Sequence, residues 1–117
     1  MAQAWVELTT ADGDELAAPT DKQLAAALAE VYSGKRDHDG EPASATLRFG
    51  YDDGLMYEIE VNSQGQLRFE EWSDRDCELA LASPRRMQAK QKDALHIWCA
   101  LAQRQVAKIR GLAWHAD

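Results

Sequence analysis

Three alternating segments separated by short turns constrain the fold of this chain more than any other feature. The segments are ATLRFGY (45–51), LMYEIEV (55–61) and QLRFEEW (66–72), and the turns between them are DDG and NSQG. Each segment alternates apolar and polar residues, which is the period of a strand with one buried face. Turns this short join neighbouring antiparallel strands, because a crossover connection needs many more residues. The sequence therefore predicts an antiparallel meander at the centre of the fold.

A helix is predicted before these strands, in the segment TDKQLAAALAEVYSG. Thr20 is typical of an N-cap, Gln23 completes a capping box with it, and Gly34 can end the helix in the left-handed conformation. One stripe of residues at helical spacing is apolar and is expected to be buried. It consists of Leu24, Leu28, Val31 and Tyr32.

A second, longer helix is predicted after the strands. Ser83 followed by Pro84 is typical of an N-cap and a first helical residue, and the apolar pattern continues to about Val106. Its expected buried stripe is Met87, Ala94, Leu95, Trp98, Leu101 and Ala102. Beyond this helix, Leu112 and Trp114 indicate a short final strand or a docked tail.

Further strands are predicted in AWVEL (4–8) and in CELALA (77–82). With them, the order of elements predicts an α+β fold with an antiparallel sheet of four to six strands and two helices packed on one face. A chain of 117 residues is long enough for one such core, so a single domain over residues 1–117 is expected. The other face of the sheet is then left open.

Alternation divides the side chains of the central hairpin between these two faces. The face beneath the helices receives Tyr57, Ile59, Val61, Leu67 and Phe69. The open face receives Met56, Glu58, Glu60, Arg68, Glu70 and Trp72. If Val61 pairs with Leu67 across the five-residue loop NSQGQ, the register of the remaining pairs follows. Those pairs are Glu60–Arg68, Ile59–Phe69, Glu58–Glu70 and Met56–Trp72.

The stretch FEEWSDRDCE (69–78) places Trp72 in the densest acidic block of the chain. A catalytic acid–base pair there would need a cleft that raises one pKa, and a metal site would need a histidine or an oxygen cage. A protein interface suits the pattern better, because a tryptophan can anchor a partner while carboxylates orient its cations. Packing of Trp72 on its own sheet edge remains the alternative. The candidate partner-binding residues are Glu58, Glu60, Glu70, Glu71, Trp72, Asp74, Asp76 and Glu78.

Other candidate groups are few. The segments DHD (37–39) and HAD (115–117) fall in a predicted loop and tail, where solvated polar residues are the usual outcome. His96 and Cys99 lie near the apolar stripe of the second helix, which is typical of packing. Cys99 and Cys77 are far apart in the sequence and form no CxxC motif, so two reduced thiols are expected rather than a zinc site. With no phosphate-binding, serine-hydrolase or metalloprotease motif, we expect a protein that is not an enzyme and binds no metal or cofactor.

The charge balance bears on the partner. Thirteen basic and twenty acidic residues give a net charge of −7 and an isoelectric point near 4.9. Such a charge repels nucleic acids and anionic membranes, so a charged partner is expected to be a basic protein. No apolar run approaches the roughly 20 residues of a membrane helix, and no basic-then-apolar leader begins the sequence. Together with reduced thiols, this indicates the cytoplasm.

Several segments match a known pattern, in particular PTDKQLAAALAEVY, ATLRFG, LMYEIEVNSQGQLRFEEWSD and DALHIWCALAQRQVAKIRGLAW. The last begins with a helix containing Ala-Leu and ends in hydrophobic-x-Trp, through Ala94, Leu95, Trp98, Leu101, Leu112 and Trp114. In outline the chain resembles the first-described family of bacterial polymorphic-toxin immunity proteins, with AKIRGLAW where that family commonly has a Gly-x-x-Pro connector. The resemblance implies a small cytoplasmic α+β protein, encoded beside a nuclease or deaminase toxin domain, with a partner-binding surface and no catalytic residues.

Charge, patterning and resemblance lead to one functional expectation. The chain is expected to be an immunity protein that binds and neutralises a cognate basic, nucleic-acid-targeting toxin domain through an acidic surface. The alternative is an acidic phage- or plasmid-encoded inhibitor of a nucleic-acid-binding complex, of the anti-CRISPR or DNA-mimic type. Its partner would be a large basic complex rather than a single toxin domain.

Overall fold

The three central segments form neighbouring antiparallel strands, as their alternation predicts. The computed structural model describes residues 3–36, 39–74 and 77–116. Its elements in chain order are β1 (Ala4–Thr9), β2 (Glu15–Ala17), α1 (Asp21–Tyr32), β3 (Ala45–Tyr51), β4 (Met56–Val61), β5 (Gln66–Trp72), β6 (Arg85–Gln88), α2 (Gln91–Ala102), α3 (Val106–Arg110) and β7 (His115–Ala116). Four residues of the predicted candidate groups lie outside the described residues: Asp37, His38, Asp76 and Asp117.

The strands form a single antiparallel sheet in the order β2-β1-β3-β4-β5-β6-β7. The predicted register of the central hairpin is confirmed. Val61 pairs with Leu67, and the pairs that follow from it are Glu60–Arg68, Ile59–Phe69, Glu58–Glu70 and Met56–Trp72. The α+β class is thus confirmed, while the described sheet has seven strands instead of four to six, and three helices are described instead of two.

Helices α1 and α2 pack on one face of the sheet, where they bury its apolar side chains. The Thr20 hydroxyl accepts a hydrogen bond from the Gln23 amide, and the Gln23 side chain accepts one from the Thr20 amide, so the predicted capping box is confirmed. On α2, Trp98 is fully buried and its indole N–H donates to the carbonyl of Ile59 at 3.1 Å. The largest fully buried side chains are Trp98, Phe49, Phe69, Leu8, Leu24, Leu28, Leu47, Met56, Ile59, Leu67, Leu101 and Ile109.

The prediction of one long helix from Ser83 to Val106 is wrong. Residues 85–88 form β6, which pairs with β5 so that Met87 lies opposite Leu67. This pairing gives hydrogen-bond partners to the backbone groups on the outer side of β5. The local Ser-Pro pattern does not reveal this long-range pairing. Helix α2 starts only at Gln91, and the chain turns at residues 103–105 before α3.

The prediction of a strand at CELALA is also wrong. Only Ala80 of this segment pairs with the sheet, in an isolated bridge to Trp72. Of the two outcomes expected for the C-terminal segment, a short strand does form, but it is β7 at His115–Ala116, just beyond Leu112 and Trp114. Trp114 itself is docked, with its ring 5.3 Å from the Phe69 ring. None of the described helices has the length and apolar character needed to span a membrane.

Candidate functional site

The sheet face opposite the helices is crossed by a row of charged side chains. In the register of β1, β3, β4 and β5, Glu7 pairs with Arg48, Arg48 with Glu58, and Glu58 with Glu70. A continuous row of three carboxylates and one guanidinium therefore runs across four strands. We call these four residues the carboxylate row.

Glu58 lies at the centre of the carboxylate row. Its Oε1 is 3.3 Å from an Arg48 guanidinium nitrogen, and Arg48 also reaches Glu7 at 3.9 Å. Only 14% of the Glu58 side chain is exposed. Burial raises the pKa of Glu58, and repulsion from Glu70 and Glu60 adds to this against the opposing effect of Arg48. Ionised Glu58 is therefore held in an unfavourable environment that an added cation would improve.

Glu70 connects the carboxylate row to Trp72. One Glu70 oxygen lies 3.2 Å from an Arg68 nitrogen, and the other accepts a 3.4 Å hydrogen bond from the indole N–H of Trp72. Trp72 lies on the open face, as its position in the alternation predicts, and is half-buried. Glu60 is also half-buried and accepts a hydrogen bond from the Ser44 hydroxyl at 3.3 Å. The structure thus brings Glu58, Glu60, Glu70 and Trp72 onto one surface.

A second row on the same face is apolar. It runs from Trp5 through Gly50 and Met56 to Trp72. A Cβ at position 50 would overlap the Trp5 indole, so the ring lies directly on the backbone of Gly50. Met56 is buried although it faces away from the helices. At this end of the open face the Trp5 indole therefore covers the backbone of Gly50, a contact that alternation alone does not reveal.

The loop after β5 adds two exposed leucines to this surface. The Ser73 amide donates to the Leu79 carbonyl and the Leu81 amide donates to the Glu71 carbonyl, both at 2.9 Å, so residues 79–81 run alongside the end of β5. Leu79 is 64% exposed and Leu81 is 50% exposed. Exposure of large apolar side chains to water is unfavourable, and their burial by a partner would contribute favourable free energy to binding. We call Leu79 and Leu81 the leucine pair.

Two acidic residues frame the leucine pair. Asp74 accepts a 2.9 Å hydrogen bond from the Glu78 amide, which holds the turn closed. Glu78 is exposed, and Asp76 lies outside the described residues. Burial and the carboxylates of Glu58 and Glu70 raise the pKa of the Cys77 thiol in this loop.

Glu71 does not belong to this surface, in contrast to its assignment among the candidate partner-binding residues. It is 4% exposed and points to the helix side, where alternation with Leu67 and Phe69 places it. Its carboxylate lies 2.6 Å from Arg85 and 2.6 Å from Arg110. Sequence neighbourhood suggested a shared surface, but adjacent residues of a strand face opposite ways.

Groups suited to chemistry are sparse in the described part of the chain. Those residues hold no cluster of three or more His, Cys, Asp or Glu side chains that could bind a metal ion. The thiol of Cys99 lies 3.7 Å from an Asp21 oxygen, and burial together with that carboxylate raises its pKa, which disfavours the reactive thiolate. His96 lines a small cavity of about 220 Å³ between α2 and α3.

The fold and this surface define an α+β protein whose antiparallel sheet carries helices on one face and charged and aromatic side chains on the other. Comparison of the chain with models of known families, with curated proteins and with solved structures gave no match.

Proposed function

We propose that this protein binds a basic protein partner through the open sheet face and the adjoining loop. In its most specific form, the proposal is an immunity protein that neutralises a cognate, nucleic-acid-targeting bacterial toxin domain. The observation that supports it most directly is the facing of Glu58 and Glu70 at the centre of the carboxylate row. The resemblance to toxin-immunity proteins supplies the class of partner.

Electrostatics supports a cationic partner. Two carboxylates directly opposite each other on neighbouring strands repel. Burial raises the pKa of Glu58, and this repulsion adds to the effect of burial. A lysine or arginine from a partner that comes between them would stabilise both ionised groups. The net charge of −7 would also steer a basic partner toward the protein before contact.

The apolar residues beside the carboxylate row support a defined contact rather than a diffuse attraction. Trp72 presents a half-buried indole, and the leucine pair lies on the loop that runs alongside it. Interfaces gain most of their affinity from a few such apolar anchors, whereas the charged residues around them set orientation and association rate. The partner proposed here therefore has an apolar patch bordered by basic residues.

The proposal is tested by co-purification and by rescue of growth. The tagged protein is expressed in its source bacterium together with the product of the adjacent gene, and captured proteins are identified. Co-expression is then tested for relief of the growth arrest that the adjacent gene product causes. We expect capture and rescue. Capture of a large nucleic-acid-binding complex would support the alternative inhibitor instead. If no partner is captured and growth is not rescued, both proposed functions are contradicted.

A further inference from the structure

A groove of about 460 Å³ lies at the β1 side of the sheet, remote from the leucine pair in the strand order. One wall is the first half of β1, residues 4–6. The groove is also lined by residues 17–19, where the chain leaves β2, and by Ala102 and Arg104 at the end of α2. Apart from Trp5 and Arg104, the lining residues are alanine, valine and proline, so most of the groove lining is small and apolar.

One wall of the groove presents a strand edge. Strand β2 pairs only with residues 7–9 of β1, and the Ala18 amide then donates to the Val6 carbonyl at 2.9 Å. Backbone groups of alternate residues point to the same side of a strand. The N–H of Val6 and both backbone groups of Ala4 therefore face the groove, where they have no backbone partner among the described residues.

Arg104 stands at a position where glycine is favoured. The Arg104 amide donates to the Leu101 carbonyl at 3.0 Å and the Gln105 amide donates to the Ala100 carbonyl at 2.9 Å, so α2 ends in a Schellman motif. Arg104 has a φ of 65° there. The same motif ends α1, but that helix uses Gly34 with a φ of 86°.

A left-handed backbone is unfavourable for arginine and neutral for glycine. The chain accepts this strain at a residue whose side chain lines the groove and makes no ion pair with any described residue. Ala18, with a φ of 47°, is another groove residue in the left-handed region. Non-glycine residues held in this region often mark binding sites.

We propose that this groove binds an extended peptide that carries a carboxylate. The peptide backbone pairs with Ala4 and Val6 as an added strand, and the Arg104 guanidinium binds the carboxylate. Small side chains of the peptide pack against the apolar wall at residues 17–19. The chain that leaves β2 limits the added strand to a few residues, so the site takes the carboxyl-terminal end of a peptide and not an internal segment that continues past residues 17–19. This site is independent of the carboxylate row.

Titration of the ¹⁵N-labelled protein with three short peptides tests the site and identifies the source of the carboxylate. The peptides are acetyl-Val-Ala-Val-Ala with a free carboxyl terminus, the same peptide as its amide, and an amidated peptide with one internal glutamate. We expect the peptide with the free carboxyl terminus to shift the Ala4 and Val6 amide signals, with affinity about tenfold above that of its amide, and tighter binding of the internal glutamate peptide would contradict a site for a chain end. Equal affinity for all three, or shifts only elsewhere, would overturn the proposal.

Two arginine variants and one control variant outside the groove separate ligand binding from folding. Arg104→Gly relieves the backbone strain and removes the charge, so we expect a higher melting temperature together with about tenfold weaker peptide binding. Arg104→Gln keeps the strained backbone and is expected to weaken binding to the same extent. The control Cys77→Gly relieves a left-handed backbone with a φ of 57° outside the groove, so it is expected to raise the melting temperature and to change affinity less than about twofold. Undiminished affinity in either arginine variant would contradict the role of Arg104.

Discussion

Glu58 and Glu70 face each other on neighbouring strands, and each is contacted by a different arginine. Arg48 approaches Glu58 from β3, while Arg68 lies two residues before Glu70 on β5. No arginine in this arrangement is shared between the two carboxylates within 4 Å in the described structure. The repulsion between them is therefore only partly offset, which has consequences for stability and for binding.

The raised pKa of Glu58 predicts a pH-dependent effect of Glu58→Gln. A carboxyl group whose pKa is raised on folding contributes stability below its ordinary pKa and loses that contribution as pH rises through the raised value. The variant cannot ionise, so its melting temperature relative to wild type should be higher at pH 7 than at pH 4. Thermal unfolding monitored by circular dichroism at both pH values measures this. If the melting temperature of the variant relative to wild type is the same at both pH values, or higher at pH 4 than at pH 7, the raised pKa of Glu58 is contradicted.

If the proposed basic partner binds the open face, charge reversal there should act mainly on its association rate. Glu60→Lys combined with Glu78→Lys is expected to lower the association rate about tenfold and to reduce its dependence on salt. Surface plasmon resonance with the captured partner at low and physiological salt measures both. The matched control reverses two exposed carboxylates elsewhere, Asp14→Lys with Asp93→Lys. An equal loss in the control would mean that net charge alone, and not this face, sets the rate.

Removal of the leucine pair should act mainly on dissociation. Leu79→Ser with Leu81→Ser changes exposed side chains, so the free energy of unfolding should stay within about 0.5 kcal/mol of wild type. If the leucines anchor the partner, the complex should dissociate at least about tenfold faster with little change in the salt dependence of association. Dissociation at the wild-type rate would remove the leucine pair from the interface.

Loss of the Glu71 charge should destabilise the fold. Glu71→Gln leaves Arg85 and Arg110 facing a neutral amide in a buried position, which should cost about 1–3 kcal/mol of unfolding free energy. Urea denaturation at pH 7 measures the loss. The neighbouring change Glu70→Gln, at a more exposed carboxylate, should cost less than about 1 kcal/mol. Similar effects of the two substitutions would contradict the structural role assigned to Glu71.

The contact of Trp5 with the backbone at Gly50 predicts a steric effect. In Gly50→Ala, the new methyl group would overlap the Trp5 indole and lie 2.8 Å from the Leu55 carbonyl oxygen. We therefore expect the free energy of unfolding to fall by about 1–3 kcal/mol. Gly111→Ala is the control, because its Cβ would meet nothing closer than 3.6 Å. Denaturation curves for both variants provide the comparison, and a neutral Gly50→Ala would show that the indole moves aside freely.

The part of the fold that sequence predicts best is local. Strands β3, β4 and β5 and their register follow from alternation and turn length within 28 consecutive residues, and the start of α1 follows from Thr20 and Gln23. Strand β6 follows from neither, because its residues 85–88 become a strand only beside β5. Ser83 and Pro84 satisfy the local pattern of a helix start, yet pairing with β5 is the stronger influence.

For the candidate site, the sequence predicts the sheet face of each side chain but not which strands are neighbours. Alternation correctly placed Glu58, Glu70 and Trp72 on one face, and the same rule applied strictly would have placed Glu71 on the other. Arg48 and Trp5 were missed, because their positions depend on which strands are neighbours across the sheet. That information is contained in long-range pairing and not in any single segment.

The two outermost strands of the sheet are its shortest. β2 has three residues and β7 has two, although the strands between them have four to seven. A long, flat outer strand is a template on which a second molecule can add its own strand, and repeated addition leads to fibres. Outer strands of two or three residues offer too few free backbone groups for whole molecules to add one after another, even though the uncovered start of β1 can still pair with a short peptide end. The short outer strands of this sheet therefore disfavour its extension by strand pairing with further copies of the protein.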